Sequence, residues 1–292
     1  LAAGGCRHRL AAVAAVERPG MIRLKKFSYW YPASEQPALD RISFEIPEGQ
    51  FLGIVGANGA GKSTLCYALS GFVPHFYNGE LEGEMSYNGT PIAELDLGKL
   101  AGQVGLVFQN SFNQISGARF SVREEIAFGL ENLGLPRAEM KSRIEEALEL
   151  VNIQELAERS PFSVSGGQQQ RIAIASILAM QPRVLVLDEP TSQLDPEGTR
   201  DVFAALSKLV STRKITVIIA EHKLEWLATF CDRVVALAGG KLRAEGSPQE
   251  VLSSEQMLRL GVGRTQYSEA AARLVRSKQL PVTLEQTKKA LK

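Results

Sequence analysis

The feature that most constrains this chain is Gly56-Ala57-Asn58-Gly59-Ala60-Gly61-Lys62-Ser63-Thr64. Four residues separate Gly56 from Gly61, and Lys62-Ser63 follow directly, which is the G-x-x-x-x-G-K-[ST] spacing of a phosphate-binding P-loop. Such a loop works between a strand and a helix, and both flanks are present. Residues 51–55 (FLGIV) form a short apolar run that reads as a buried strand. Residues 62–70 (KSTLCYALS) read as a helix stopped by Gly71. The glycines let successive backbone N–H groups turn inward, and the helix N-terminus adds positive potential. The spacing assigns Gly56, Asn58, Gly59, Ala60, Gly61 and Thr64 to the cradle. Lys62 reaches the β- and γ-phosphates of a nucleotide, and Ser63 offers its hydroxyl to Mg²⁺.

Two further stretches define the chemistry. Val184-Leu185-Val186-Leu187-Asp188-Glu189 is an apolar run ending in two carboxylates. A buried strand that ends in acids delivers them to the sheet edge where ligands bind in α/β folds. Asp188 suits the Mg²⁺ shell, and Glu189 suits orienting or deprotonating an attacking water. Ser165-Gly166-Gly167-Gln168 precedes a helical pattern, and a hydroxyl plus glycine N–H groups at a helix start make a second anion site.

The remaining pattern is α/β. Residues 22–28, 41–46 and 82–87 alternate as half-buried strands, the last closed by Asn88-Gly89, and suggest a small antiparallel sheet beside the nucleotide core. Residues 103–108, 183–187 and 215–220 read as core strands, with 233–237 and 241–245 following around Gly239-Gly240. Helices are expected at 122–133, opened by a Ser121/Glu124 capping box, then up to about Val151, at 167–180 and at 196–209. Strand and helix in alternation imply a parallel sheet. Beyond Gly246 the sequence reads as helical and amphipathic to its end, with apolar positions such as Leu258, Leu260, Leu274 and Val275.

Bulk properties narrow the setting. The net charge of +1 gives no reason to expect a nucleic-acid partner held by charge. No apolar run approaches the roughly 18 residues that cross a bilayer. Cys6, Cys66 and Cys231 are scattered without metal-ligand spacing, which fits a reduced, cytosolic compartment. Residues 1–20 read as a disordered leader or an upstream-start artefact, with Met21 as the expected beginning, because the apolar stretch after Arg7-His8-Arg9 is short and ends in Glu17-Arg18-Pro19-Gly20.

With two phosphate sites about a hundred residues apart, the chain resembles the ATP-binding cassette ATPases, whose six motifs occur here in order over 21–246. The resemblance implies a P-loop NTPase (RecA-like) core, an antiparallel β subdomain, an inserted α-helical signature subdomain at about 110–166, and a C-terminal helical extension over 247–292. It places Tyr31, beside Tyr29 and Trp30, at the adenine and Gln109 at the metal, coupled to the transporter. It implies that Ser165 to Gln168 contact ATP across a dimer, that 192–195 with Asp195 form the D-loop, and that His222 senses the γ-phosphate. Val164, Gln193 and Lys223 depart from the family pattern, which more often has Leu, a small residue and Asp.

Two stretches are similar to the ATPases of energy-coupling factor importers: 109–115 (QNSFNQI) and 125–134 (EIAFGLENLG). Residues 74–81, 191–195 and 221–225 are similar to the subgroup linked to thiamine precursors and related vitamins. That resemblance implies ATP and Mg²⁺ as cofactors and a second ATPase chain, identical or different. It also implies a transmembrane coupling protein and a substrate-capture protein, at the cytoplasmic face of a membrane. One cassette here means a partner copy, or half of a longer product. The open alternatives are the ATPase of another transporter class of the superfamily, and a soluble cassette ATPase.

Overall fold

The computed structural model describes residues 21–274 and 279–291. The readings made of residues 1–20 and of Val275 lie outside them. Among the described residues ten strands form two sheets. They are β1 Ile22–Trp30, β2 Leu39–Ile46, β3 Phe51–Val55, β4 Glu80–Tyr87, β5 Thr90–Pro91, β6 Val104–Val107, β7 Val184–Asp188, β8 Thr216–Ala220, β9 Arg233–Ala238 and β10 Lys241–Gly246. One sheet is antiparallel, in the order β2-β1-β4-β5; the other runs β10-β9-β3-β8-β7-β6. In the second sheet β6, β7, β8, β3 and β9 are parallel, and β10 turns back antiparallel to β9.

The strands β3, β7 and β8 are short and buried throughout. Because side chains alternate along a strand, each one feeds two cores. Phe51 and Val55, Leu185 and Leu187, Val217 and Ile219 enter one apolar cluster. It is shared with Val122, Ile126 and Leu130 of the helix Val122–Asn132, with Ile144 and Leu148 of Arg137–Leu150, and with Ile172 and Ile174 of Gly166–Ala179. Leu52 and Ile54, Val184 and Val186, Ile218 and Ala220 enter the other. There they meet Leu65 and Leu69 of the P-loop helix Lys62–Leu69 and the antiparallel sheet. The expected fold class is therefore the observed one: an α/β nucleotide core with an antiparallel β sheet on one face and signature-side helices on the other.

Register does the positioning. Ile54 and Asp188 both pair with Ala220, and Val107 pairs with Leu187. The segments that follow β3, β6, β7 and β8 thus leave one sheet edge side by side. They carry the P-loop, Gln109, Glu189 and His222.

The region after Gly246 is helical, as read from the sequence, in separate short segments. Among the described residues it holds four short helices, Pro248–Leu252, Glu255–Arg259, Gln266–Leu274 and Leu284–Ala290. Gly261 and Gly263 adopt positive φ (71° and 90°), a conformation that ends helices, and Pro281 precedes the last one. Val251, Leu252, Met257 and Val282 are buried in the first cluster, while Leu258 and Leu274 face outward.

Candidate nucleotide site

The P-loop is shaped by close backbone approach. A Cβ on Gly56 would meet the Leu237 carbonyl oxygen at 2.7 Å, and one on Gly61, whose φ is 101°, would meet that of Ala38 at 2.8 Å. Only glycine fits either place. Asn58, Gly59, Gly61, Lys62, Ser63 and Thr64 line an open cleft together with Gln109 and Glu189, and Ala60 is buried beneath them. Lys62 is 5% exposed, and its Nζ donates to the carbonyls of Gly56 and Ala57 at 3.2 and 3.4 Å.

Asp188 and Glu189 reach the same cleft with different surroundings. Asp188 is 1% exposed. The Ser63 hydroxyl sits beside its carboxylate, and Oδ1 has no hydrogen-bond partner. Burial pushes its pKa above the usual carboxylate value, with Ser63 opposing and Glu189 adding to the rise. A buried, unpartnered carboxylate oxygen beside a hydroxyl suits a hard divalent cation. Among the described residues no cluster of three or more His, Cys, Asp or Glu could hold a metal by itself. Mg²⁺ is usually held by one or two carboxylates with phosphates and waters, so Ser63, Asp188 and Gln109 fit it.

Glu189 is gripped at both oxygens. Gln109 Nε2 donates to Oε2 at 2.7 Å, His222 Nε2 lies 3.0 Å from Oε1, and Lys62 Nζ lies 3.5 Å from Oε1. The same His222 nitrogen is 3.2 Å from Lys62 Nζ. It faces a donor and an acceptor and can satisfy one at a time. Glu189 adopts a left-handed φ of 48°, uncommon outside glycine, directly after its strand.

Of the three neighbouring aromatics, the structure selects one beside the loop. Tyr29 is fully buried and donates to the carbonyls of Tyr77 and Asn78. Tyr31 is half-buried, and its hydroxyl is 3.2 Å from Thr64 Oγ1. Ser165 caps the helix Gly166–Ala179 in a capping box with Gln168. Ser165, Gly167 and Gln168 line a second hollow with Gln193, Leu194 and Asp195. Gly166 lies against Gln193, and Asp195 caps the helix Pro196–Arg213. This hollow shares no lining residue with the P-loop cleft. The structure therefore joins Lys62, Ser63, Gln109, Asp188, Glu189 and His222. It holds Ser165 to Gln168 and Asp195 together elsewhere.

Sequence reasoning missed the supports. Gln114 Oε1 accepts the Phe108 N–H at 3.2 Å just before Gln109. Buried Glu221 accepts the N–H groups of His222 and Lys223 at 2.8 and 3.3 Å. Lys223 reaches Thr191, Leu194 and Thr199. The one signal was that Lys223 breaks the family pattern. Cys66 and Cys231 are free and buried, and burial pushes both thiols well above their ordinary range, which keeps them unreactive.

The fold and cleft define a P-loop nucleotide hydrolase with an acidic pair at the end of a core strand. Comparison with known proteins narrows the class: the ABC transporter family model matches residues 39–192, and the chain belongs to that family. It is 44% identical over 243 residues to an ABC transporter ATP-binding protein of Pyrococcus abyssi, covering 83% of this chain and 86% of that one. It is 39% identical over 250 residues to the energy-coupling factor transporter ATP-binding protein EcfA1 of Lacticaseibacillus paracasei, covering 85% and 87%. Among solved structures, CbiO1 of Clostridium perfringens, part of the ABC transporter complex CbiONQ, superposes with a TM-score of 0.72 at 31% identity, covering 88% of this chain and 96% of that one. A dimeric ATP-binding cassette in a post-hydrolysis state with ADP and Pi gives 0.69 at 28% identity, covering 78% and 99%. The chain is an ABC-type ATP hydrolase.

Proposed function

We propose that this chain is the ATPase subunit of an energy-coupling factor-type importer of a vitamin or other micronutrient. Among the described residues no helix is long and apolar enough to cross a membrane. In this reading a transmembrane coupling protein, a substrate-capture protein and a second ATPase chain complete the importer, with this chain at the cytoplasmic face. The observation that carries the reading is the similarity to EcfA1 over most of both chains, supported by the likeness to CbiO1.

ATP lies between the P-loop of one copy and Ser165 to Gln168 of another, because the two hollows share no residue. Two head-to-tail copies then make two composite pockets. Tyr31 stacks on adenine, and Lys62 and the loop N–H groups hold the phosphates. Ser63, Asp188 and Gln109 would hold Mg²⁺, which would supply neutralisation of phosphate charge. Glu189 takes the proton of the attacking water, with Gln109 and His222 fixing its two oxygens. His222 reads the γ-phosphate, and Asp195 orders the D-loop beside the signature.

Purifying the tagged chain from its native membrane and identifying its companions tests the assignment. A transmembrane coupling protein with a small membrane-embedded capture protein is expected. Recovery of only a conventional permease pair, or of soluble companions alone, contradicts it.

A further inference from the structure

The residues on either side of His222 make contacts that nucleotide binding does not require. Glu221 is buried. Its Oε1 accepts the N–H groups of His222 and Lys223, and its Oε2 accepts the Thr191 hydroxyl. Lys223 Nζ donates to the carbonyls of Thr191 at 2.9 Å and Leu194 at 3.4 Å, and to the Thr199 hydroxyl at 2.9 Å. Three N–H groups thus meet three acceptors, none of them a carboxylate. An ammonium held by neutral oxygens in fixed places is a directional strut, and charge makes each such bond stronger than a neutral one. Thr191 and Thr199 are fully buried, so the strut is anchored in rigid structure. An acidic residue in place of Lys223 could not donate to these carbonyls.

The segment that Lys223 grips faces the other hollow. A Cβ on Gly167 would lie 3.0 Å from the Gln193 carbonyl oxygen, and one on Gly166 would lie 2.7 Å from Gln193 Oε1. The same segment begins just after Glu189, whose carbonyl accepts the Ser192 N–H at 3.2 Å. A contiguous set of contacts therefore runs from Lys62 and Glu189 through His222 and its two neighbours to Thr191 and Leu194, and so to Gly166 and Gly167.

We propose that Lys223 is a positioning residue that ties the His222 loop to residues 191–195, so that ATP on this chain's own P-loop sets the signature face it lends to its neighbour. The consequence for the neighbour rests on the composite-pocket reading above; the strut itself is a property of one chain. Contact through packed residues becomes coupling only when both ends respond to one event, so the test follows both ends.

The full chain is studied by hydrogen–deuterium exchange, at a concentration where light scattering shows a monomer, with and without β,γ-imido-ATP and Mg²⁺. In the unmodified chain the analogue should change exchange in 191–195 and 165–168 by at least ~3-fold, in the range expected of such couplings. In Lys223→Met that response should vanish, while the affinity for the analogue stays within about threefold. A purely structural lysine would lower Tm without separating response from affinity. Three results overturn the proposal: an unchanged response in Lys223→Met, no response in the unmodified chain, or loss of response and affinity together. Thr199→Val keeps the ammonium and removes one acceptor, and it serves where Lys223→Met does not fold. A reduced response in it supports the strut, and a response equal to that of the unmodified chain overturns it. A monomeric readout keeps a failure of the strut distinct from a failure of the composite pocket, which dimer formation measures separately.

Discussion

At the scale of single residues, the cleft separates the tasks of two adjacent carboxylates by environment. Asp188 is buried with Oδ1 unpartnered, while Glu189 is held at both oxygens by Gln109 and His222. The left-handed backbone at Glu189 is the kind of local strain that persists at functional sites because the surroundings impose it. Lys62→Ala should weaken ATP binding by at least ~10-fold, the loss expected from a charge-assisted contact to phosphate; titration of nucleotide into the purified variant checks it. Asp188 makes a prediction with a definite sign. Its folded pKa lies above the ordinary 3.8, so between the two values the folded chain binds more protons than the unfolded one. Stability therefore falls as pH rises through that window, and above it the buried charge imposes its full cost. Asp188→Asn removes that cost. Without nucleotide it should melt higher than the unmodified chain at pH 7, and the gap should narrow as pH is lowered toward 3.8. Thermal melts across that range read the result.

At the scale of elements, legibility followed from how local the determinants were. The strand Phe51–Val55 and the helix Lys62–Leu69 were readable because an apolar run, a glycine turn and the Gly71 stop lie close together in sequence. The strand through 22–28 was readable too, but not the left-handed Lys26 (φ 50°), which shifts register and buries Phe27, Ser28 and Tyr29 in succession. Periodicity could not report that bulge, because it arises from pairing with a partner strand. Recurring apolar positions marked the tail as helical, while the breaks at Gly261 and Gly263 depend on backbone conformation. Of the cleft, the groups that face the ligand were legible from motif spacing. The braces were not, since Glu221 and Lys223 meet Thr191 across some thirty residues of chain. Gly61 tests the element itself. Gly61→Ala forces a Cβ to within 2.8 Å of the Ala38 carbonyl oxygen at a left-handed φ. It should destabilise the chain by roughly 1–2 kcal/mol or more. It should also weaken nucleotide binding, since Ala38 lines the cleft. Urea unfolding of the variant gives the first quantity and titration the second.

At the scale of the molecule, the region after Gly246 belongs to the core of the domain. Val251, Leu252, Met257 and Val282 share a cluster with β3, β7 and β8. Each buried side chain of this kind contributes roughly 1.5–3 kcal/mol. Ending the chain at Gly246 should therefore consume much of a stability margin of roughly 5–15 kcal/mol and give a product that melts far lower or fails to fold. Within one chain the P-loop cleft and the Ser165–Gln168 hollow share no lining residue, and in the proposed function a neighbour completes each pocket. Glu189→Gln keeps the carboxylate's shape and removes its charge. In the assembled complex, with the partner's own site disabled, we predict unchanged ATP affinity and a loss of at least ~10²-fold in hydrolysis, as expected when a positioned general base is removed. An ATP-bound pair of cassettes should accumulate in light scattering. Near-normal turnover in that complex, or a fully ATP-loaded variant that stays monomeric, contradicts the account.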